Sequence, residues 1–438
     1  MAGVKPFRGV RYNPEVVSDL SLVTTPPFDV ISPDQKRAYH ERHPKNVIRL
    51  NLGESVPGDD EKNNWYKRAS DYLNGWLEEG TLVQDEEESF YLLRRDYVGR
   101  WGGVHVRHGF SALVRIEDPE KRLILGHELT FDDVIVDRLR LIEATRANVC
   151  PIFALYSDPD GEVISAIKSS VREPLATMSL EDGSLDTLWR CADAEMFRFV
   201  GEKIKDKVIF IADGHHRYAT SRLYRNEMRR DDGKNTGSEP YDYVLMTLVA
   251  LEDEGLAIYP PHRLISGLRN FDGAAFLDEL EEYFDVVPVV HHGTLSEQVD
   301  NLVRLMDGNV GKERSFGVLL KDTAPRLLML KHEIDAHPWF SSIRDSVRNE
   351  LDVPILHRLV IEGMLDVSAT CDRHVRYNPD EQDAAELVQS GEVQVALLIN
   401  PPTREDVQRV SHGGELMPHK STYFYPKLLT GLVMNKMY

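Results

Sequence analysis

Residues 208–221 read VIFIADGHHRYATS, and they hold the densest set of side chains able to handle an anion. Val208–Ala212 is a short apolar run, the pattern of a buried strand, and Asp213-Gly214 is a turn signal. Tyr218–Met228 follows with helix-compatible spacing and few breakers. A strand, a tight glycine turn and a helix start aim backbone N–H groups outward at negative charge. His215, His216 and Arg217 add side-chain donors beside those amides, and an arginine can hold a phosphate through two parallel hydrogen bonds. Asp213, Gly214, His215, His216 and Arg217 are therefore the candidate phosphate-binding turn. The alternative is a charged strand-to-helix loop with Arg217 in an ordinary ion pair. Glycine, two histidines and an arginine against a buried strand are costly without a ligand, which favours the first reading.

A second candidate is His127-Glu128, between an expected strand and an expected helix. A carboxylate there can cap the helix and complement its dipole. Within hydrogen-bond reach of a substrate hydroxyl it can instead accept the proton. The C-terminal stretch MPHKSTYFYPK offers Lys420 and Ser421 to a phosphate or a carboxylate. It differs from a P-loop in carrying His419 where the second glycine belongs, and no strand leads into it, so a Walker A motif is rejected. His262-Arg263 after two prolines adds positive charge, and Asp29 in the PPFDV turn could meet a substrate amine or simply make an Asx-turn. The metal ligands stay unassigned: the three cysteines are scattered, there is no His-Glu-x-x-His, and His105 and His108 lie on opposite faces of a strand. Magnesium brought in on a nucleotide would need only one or two carboxylates besides phosphate oxygens.

The elements that must position these groups are legible in part. Pro33–His43 is expected to be a helix capped by Ser32, and Trp65–Glu79 a helix with an apolar stripe ending at Gly80. Ser89–Arg95, Val104–Arg115, Pro151–Tyr156 and Tyr243–Leu251 read as strands, and Val134–Ala147 as a helix. Beyond about residue 268, helices near 273–284, 296–307 and 354–365 alternate with strands near 314–321, 326–331 and 393–399. The expected division is an N-terminal α+β region, 1–103, a core, 104–267, with an insertion at 157–205, and a C-terminal α+β domain, 268–438.

The chain has 438 residues and a formal charge of −20, from 52 Lys and Arg against 72 Asp and Glu. That balance argues against nonspecific binding to a nucleic acid, which needs a basic face, while leaving a local anion site possible. No run approaches a membrane span and the N-terminus lacks a signal-peptide core, so a cytoplasmic protein without membrane partners is expected. Cys150, Cys191 and Cys371 fit buried thiols in a reducing compartment. The oligomeric state is not legible.

The order strand, His-Glu turn, helix, strand, then strand, Asp-Gly-His-His-Arg, helix resembles the ParB/sulfiredoxin-like nucleotide-binding fold and, within it, the archaeal free serine kinases. Over its full length the chain resembles the uncharacterised family DUF1015, through PPFDV (26–30), HELT (127–130), DRLRLIEAT (137–145), PIFALY (151–156), ADGHHRYAT (212–220), PHRL (261–264) and MPHKSTYFYPK (417–427). The resemblance implies a mixed α/β fold and a nucleotide-dependent kinase using ATP or ADP with Mg²⁺. It implies a small hydroxylated acceptor, free L-serine giving O-phosphoserine as the first candidate. Glu128 matches the general base, and Asp213, Gly214, His215 and Arg217 match the phosphate turn, with Arg217 and His215 stabilising the transferring phosphate. His216, Lys420 and Ser421 are expected to assist nucleotide binding; His127, Asp29, His262 and Arg263 are expected near the acceptor. His216 and Ala219 depart from the patterns of the two families. Two other readings follow from the same features: a ParB-like nucleotide-hydrolysing switch, and a noncatalytic scaffold.

Overall fold

The computed structural model describes residues 3–289, 292–332, 351–368, 373–418 and 420–438. It divides the chain into two compact units. The first comprises residues 1–126, 130–257 and 426–438; the second comprises 127–129 and 258–425. The expected break after residue 103 does not exist, because Phe90–Val98 and Val104–Arg115 pair as one antiparallel hairpin from Tyr91↔Ser111 to Val98↔Val104.

The first unit is built on a nine-stranded mixed sheet. In chain order its strands are β1 (Val4–Lys5), β2 (Phe90–Val98), β3 (Val104–Arg115), β4 (Ile124–Leu125), β5 (Ile152–Tyr156), β6 (Ala176–Ser179), β7 (Leu185–Cys191), β8 (Ile209–Asp213) and β9 (Tyr243–Ala250). Their spatial order is β4-β8-β5-β9-β3-β2-β7-β6, with β1 beside the end of β3. Segment 157–205 is thus no insertion hung outside the core: it supplies β6 and β7 as well as helices Glu162–Ser170 and Ala194–Ile204. Period-two alternation sorts side chains between faces. Phe90 and Leu92 enter the cluster covered by those two helices, whereas Tyr91 packs with Phe7, Leu113 and Leu245 on the other side. Central β5 and β8 are buried at every position, so they read as continuous apolar runs. Each large aliphatic or aromatic side chain so buried contributes about 1.5–3 kcal/mol relative to exposure. Helices Asp132–Thr145 and His215–Asp232 pack together.

The second unit has an all-antiparallel six-stranded sheet, formed by β10 (His262–Ile265), β11 (Phe284–Pro288), β12 (Ser315–Leu320), β13 (Arg326–Leu330), β14 (Val375–Asn378) and β15 (Val395–Leu398). The order is β11-β13-β12-β15-β10-β14. Leu264, Leu319, Ala396 and Leu398 face helices Leu295–Asn309 and Glu381–Ser390, while Ile265, Val318 and Val395 face helix Gly273–Leu280 and the segment 352–364. The expected helix near 354–365 is α-helical over Asp352–Leu356 and a π-helix over His357–Met364. The observed class is the mixed α/β class expected. Among the described residues no helix is long and apolar enough to cross a membrane. Cys150 and Cys191 are buried free thiols; Cys371 and His419 lie outside the described residues.

Candidate functional site

Strand β8 ends at Asp213, and Gly214 turns the chain with φ 98° and ψ 31° directly into the 18-residue helix His215–Asp232. Only glycine adopts that backbone without strain. A Cβ on Gly214 would also stand 2.9 Å from the Arg217 guanidinium carbon. Gly214→Ala is therefore expected to cost about 1–3 kcal/mol, read from denaturant unfolding. The helix has no side-chain cap and no acidic residue in its first turn. Ser32, Asn64, Asp193, Thr294 and Thr403 cap other helices with side chains, and the helices Asp132–Thr145 and Glu162–Ser170, which also lack such a cap, carry acids in their first turns. The positive end of the dipole thus lies at the end of a buried strand, among buried Gly214, His215 and Arg217, without a side-chain cap or an acid in the first turn.

Arg217 departs from the expected role. Its Nη2 donates to Asp213 Oδ2 at 2.5 Å, and its Nη1 donates to the Pro151 carbonyl and, at 2.8 Å, to Cys150 Sγ. Its Nε is buried without a partner among the described residues. The guanidinium is a strut tying the start of the helix to β8 and the Cys150-Pro151 segment, not a fork presented to phosphate. Behind it, a cavity of about 50 Å³ between Asn51, Arg138, Asn148 and Cys150 has room for a few waters and none for a nucleotide.

Asp213 is likewise internal. Its second oxygen accepts from Lys427 Nζ. Burial opposes ionisation of Asp213, but Lys427 and Arg217 outweigh it and hold the carboxyl well below the usual carboxylate range. Burial also works against the charge on Arg217, which the carboxylates of Asp213 and Asp29 more than restore. The sequence analysis assigns no role to Lys427. Two buried arginines put it there: Arg95 donates to the Lys427 carbonyl at 2.9 Å, and Arg107 to the Pro426 carbonyl. Arg95 is itself paired with buried Asp186, and burial lowers Arg107 to about 10. The only sequence signal for Lys427 was its place in the long motif at 417–427.

His215 is buried at the helix start. His216 accepts a hydrogen bond at Nε2 from the Phe131 amide, 3.0 Å, and stacks on the Phe131 ring. It therefore satisfies the entrance of helix Asp132–Thr145, and in that tautomer only Nδ1 carries a proton to donate. Asp29 is exposed in the short 3₁₀ turn Phe28–Val30, near enough to Arg217 and Cys150 to act on both electrostatically. The structure thus gathers Asp29, Asp213, Gly214, His215, His216 and Arg217 within the first unit.

The remaining expected residues belong to the second unit. Buried His127 shares a 2.9 Å hydrogen bond with Thr422 Oγ1, and its carbonyl accepts from the Met417 amide, so its observed contacts fasten the 417–422 stretch rather than a ligand. Glu128 beside it is half-buried. Arg263 is fully buried and engaged: it donates to the Pro261 carbonyl, to His357 Nε2 at 2.9 Å and to the Lys420 carbonyl at 3.0 Å. Burial lowers it to about 10. It supports Lys420 through the backbone instead of offering charge. His262 Nδ1 accepts from the Ile399 amide at 3.3 Å, a contact inside the fold. Ser421 Oγ donates to the Pro418 carbonyl, 2.7 Å.

Ser421 also lines a cavity of about 350 Å³ with Arg314, Asp352, Asn400 and Thr403. Burial pushes the Asp352 carboxyl up to about 6, against the pull of Arg314. A carboxyl raised on folding holds its proton more tightly in the folded state. That stability is full below about pH 4 and is lost as pH rises through about 6. At pH 7, Asp352→Asn is therefore expected to stabilise the protein by about 2 kcal/mol and to flatten this part of the stability–pH curve, measured by thermal unfolding at pH 4–7.

A sequence profile of the family described as "Protein of unknown function (DUF1015)" matches residues 4–354. The chain belongs to that family. No curated protein matches it. Solved structures similar to this DUF1015 member include a free serine kinase in complex with AMP, 15% identical at a TM-score of 0.30, with 71% of this chain and 89% of that chain covered. A conserved hypothetical protein from Pyrococcus furiosus is 13% identical at 0.30, covering 71% and 92%. SbnI with C-terminal truncation, from Staphylococcus aureus, is 12% identical at 0.33, covering 74% and 87%.

Proposed function

We propose that this protein is a nucleotide-dependent phosphotransferase that receives the phosphates of ATP or ADP at the turn after β8. One observation carries the reading: a long helix opens on Gly214 at the end of a buried strand with no side-chain cap and no acid in its first turn. Such an end binds anions through backbone amides and the helix dipole. Behind it, the two cations Arg217 and Lys427 flank the buried carboxylate of Asp213, and exposed Asp29 acts on Arg217 from the surface. Arg217 and Lys427 act in this reading through their field and through rigidity, and the amides with His215 make the contacts. Phosphoryl transfer needs little beyond positioning and charge stabilisation, so a rigid turn at the positive end of a helix dipole suits it.

The motif match assigns the acceptor's general base to Glu128, with a small hydroxylated metabolite as acceptor and free L-serine first among candidates. Mg²⁺ would arrive on the nucleotide and neutralise its charge; among the described residues no group of three His, Cys, Asp or Glu is built to hold a metal unaided.

The test is purified full chain with Mg²⁺ and ATP or ADP, titrated calorimetrically and then incubated with a panel of hydroxy amino acids. Saturable nucleotide binding and a phosphorylated product are expected. Absence of both overturns the reading. A noncatalytic scaffold is the alternative, favoured by the engagement of Arg217 inside the fold; on that view nucleotide titration gives no heat.

A further inference from the structure

One cavity of the second unit lies where β12 begins and β15 has just ended, neighbouring antiparallel strands whose ends meet. Arg314 directly precedes β12, and Asp352 opens the short helix Asp352–Leu356. Both line the same space. Arg314 Nη1 is buried with no hydrogen-bond partner among the described residues. Asp352 feels Arg314 electrostatically, yet the two form no ion pair. A guanidinium with a buried, unbonded N–H and a desolvated carboxylate that line one space without joining are each costly. Nearby polar groups do not relieve them: Thr403 and Asp406 close on each other as a helix cap, and Ser421 donates to the Pro418 carbonyl.

The chemistry of the occupant follows from this pair. An anion alone would satisfy Arg314 and meet Asp352 repulsively; a cation alone would do the reverse. A molecule with an acceptor at one end and a charged donor a few ångströms away satisfies both. We propose that this cavity binds a free α-amino acid, its carboxylate on Arg314 and its ammonium group on Asp352. The volume, about 350 Å³, is within the range of small-molecule sites and leaves room for a side chain toward Lys312 and Asn400. The inference stands apart from the phosphotransfer reading, since it needs neither nucleotide nor metal.

Calorimetric titration of the full chain, without nucleotide, with glycine, L-serine, L-glutamate and L-lysine tests it. At least one of them is expected to bind saturably with one site per chain. The N-acetyl and methyl-ester derivatives of that amino acid, which lack the ammonium or the carboxylate charge, are expected to bind about 10–100-fold more weakly. Arg314→Met and Asp352→Asn are expected to weaken the free amino acid by a similar factor, and Asp352→Asn to do so while its Tm rises, which separates a lost site from a lost fold. The proposal is overturned if none of the four binds at about 10 mM, or if either blocked derivative binds as tightly as its parent. A failure here leaves nucleotide binding untouched, and a protein without nucleotide affinity can still bind the amino acid.

Discussion

Asp213→Asn is expected to lower the unfolding free energy of the first unit by about 3–5 kcal/mol, the range for removing one partner of a buried ion pair. Asp213 sits between Arg217 Nη2 at 2.5 Å and Lys427 Nζ, and all three side chains are nearly buried. The amide keeps the shape but leaves two buried cations facing each other. The pH dependence has a definite sign. Because Lys427 and Arg217 hold the Asp213 carboxyl below its unfolded value, its contribution is present above about pH 4 and is lost as the pH falls through the folded pKa. The wild type should lose this increment on acidification, whereas the variant lacks it throughout. Two units need not unfold together, so amide exchange in Ile209–Asp213 is the appropriate local measurement alongside denaturant titration. A change below about 1 kcal/mol would show that the cluster is hydrated and carries little stability.

Glu128→Gln is expected to lower phosphotransfer to the acceptor hydroxyl by about 10²–10⁴-fold while nucleotide affinity stays within about twofold. The logic separates two jobs. On the proposed reading the phosphate contacts come from the backbone turn at Gly214 and His215, which the substitution leaves alone. Proton removal needs a carboxylate, and glutamine keeps the size while removing the basicity. Quantifying O-phosphoserine formed at saturating nucleotide, with a parallel nucleotide titration, reads both. Unchanged turnover in the variant would remove Glu128 from the chemistry and return it to a helix-entrance role.

Several features were legible because they depend on neighbours in the chain. The apolar run at 208–212, the Asp-Gly turn and the helix beyond it follow from local steric and hydrogen-bonding preferences, and the structure places β8 at Ile209–Asp213 and the helix at His215–Asp232. Val104–Arg115 is found with the bounds its alternation implies, and Trp65–Glu78 ends one residue before the expected end. Asp132–Thr145 starts two residues earlier than its periodicity suggested, where acidic residues occupy the first turn. The three-part division failed for the opposite reason. Whether Phe90–Val98 closes one domain or pairs with the next strand is decided by hydrogen bonds between segments, which a composition shift does not report.

The amino-acid order by itself determined the strand–glycine–helix turn, the excess of negative charge and the family, since each is written in local spacing or in the composition. What became of Arg217 was a matter for the tertiary structure alone. Its carboxylate partner lies four residues back, but the cation sharing that carboxylate, Lys427, comes from 214 residues further on and is held there by Arg95 and Arg107. An arginine beside a glycine turn has the same sequence whether it meets a phosphate or an aspartate. Which one it meets depends on the low-dielectric surroundings that distant segments close around it, where an unpaired charge cannot stay.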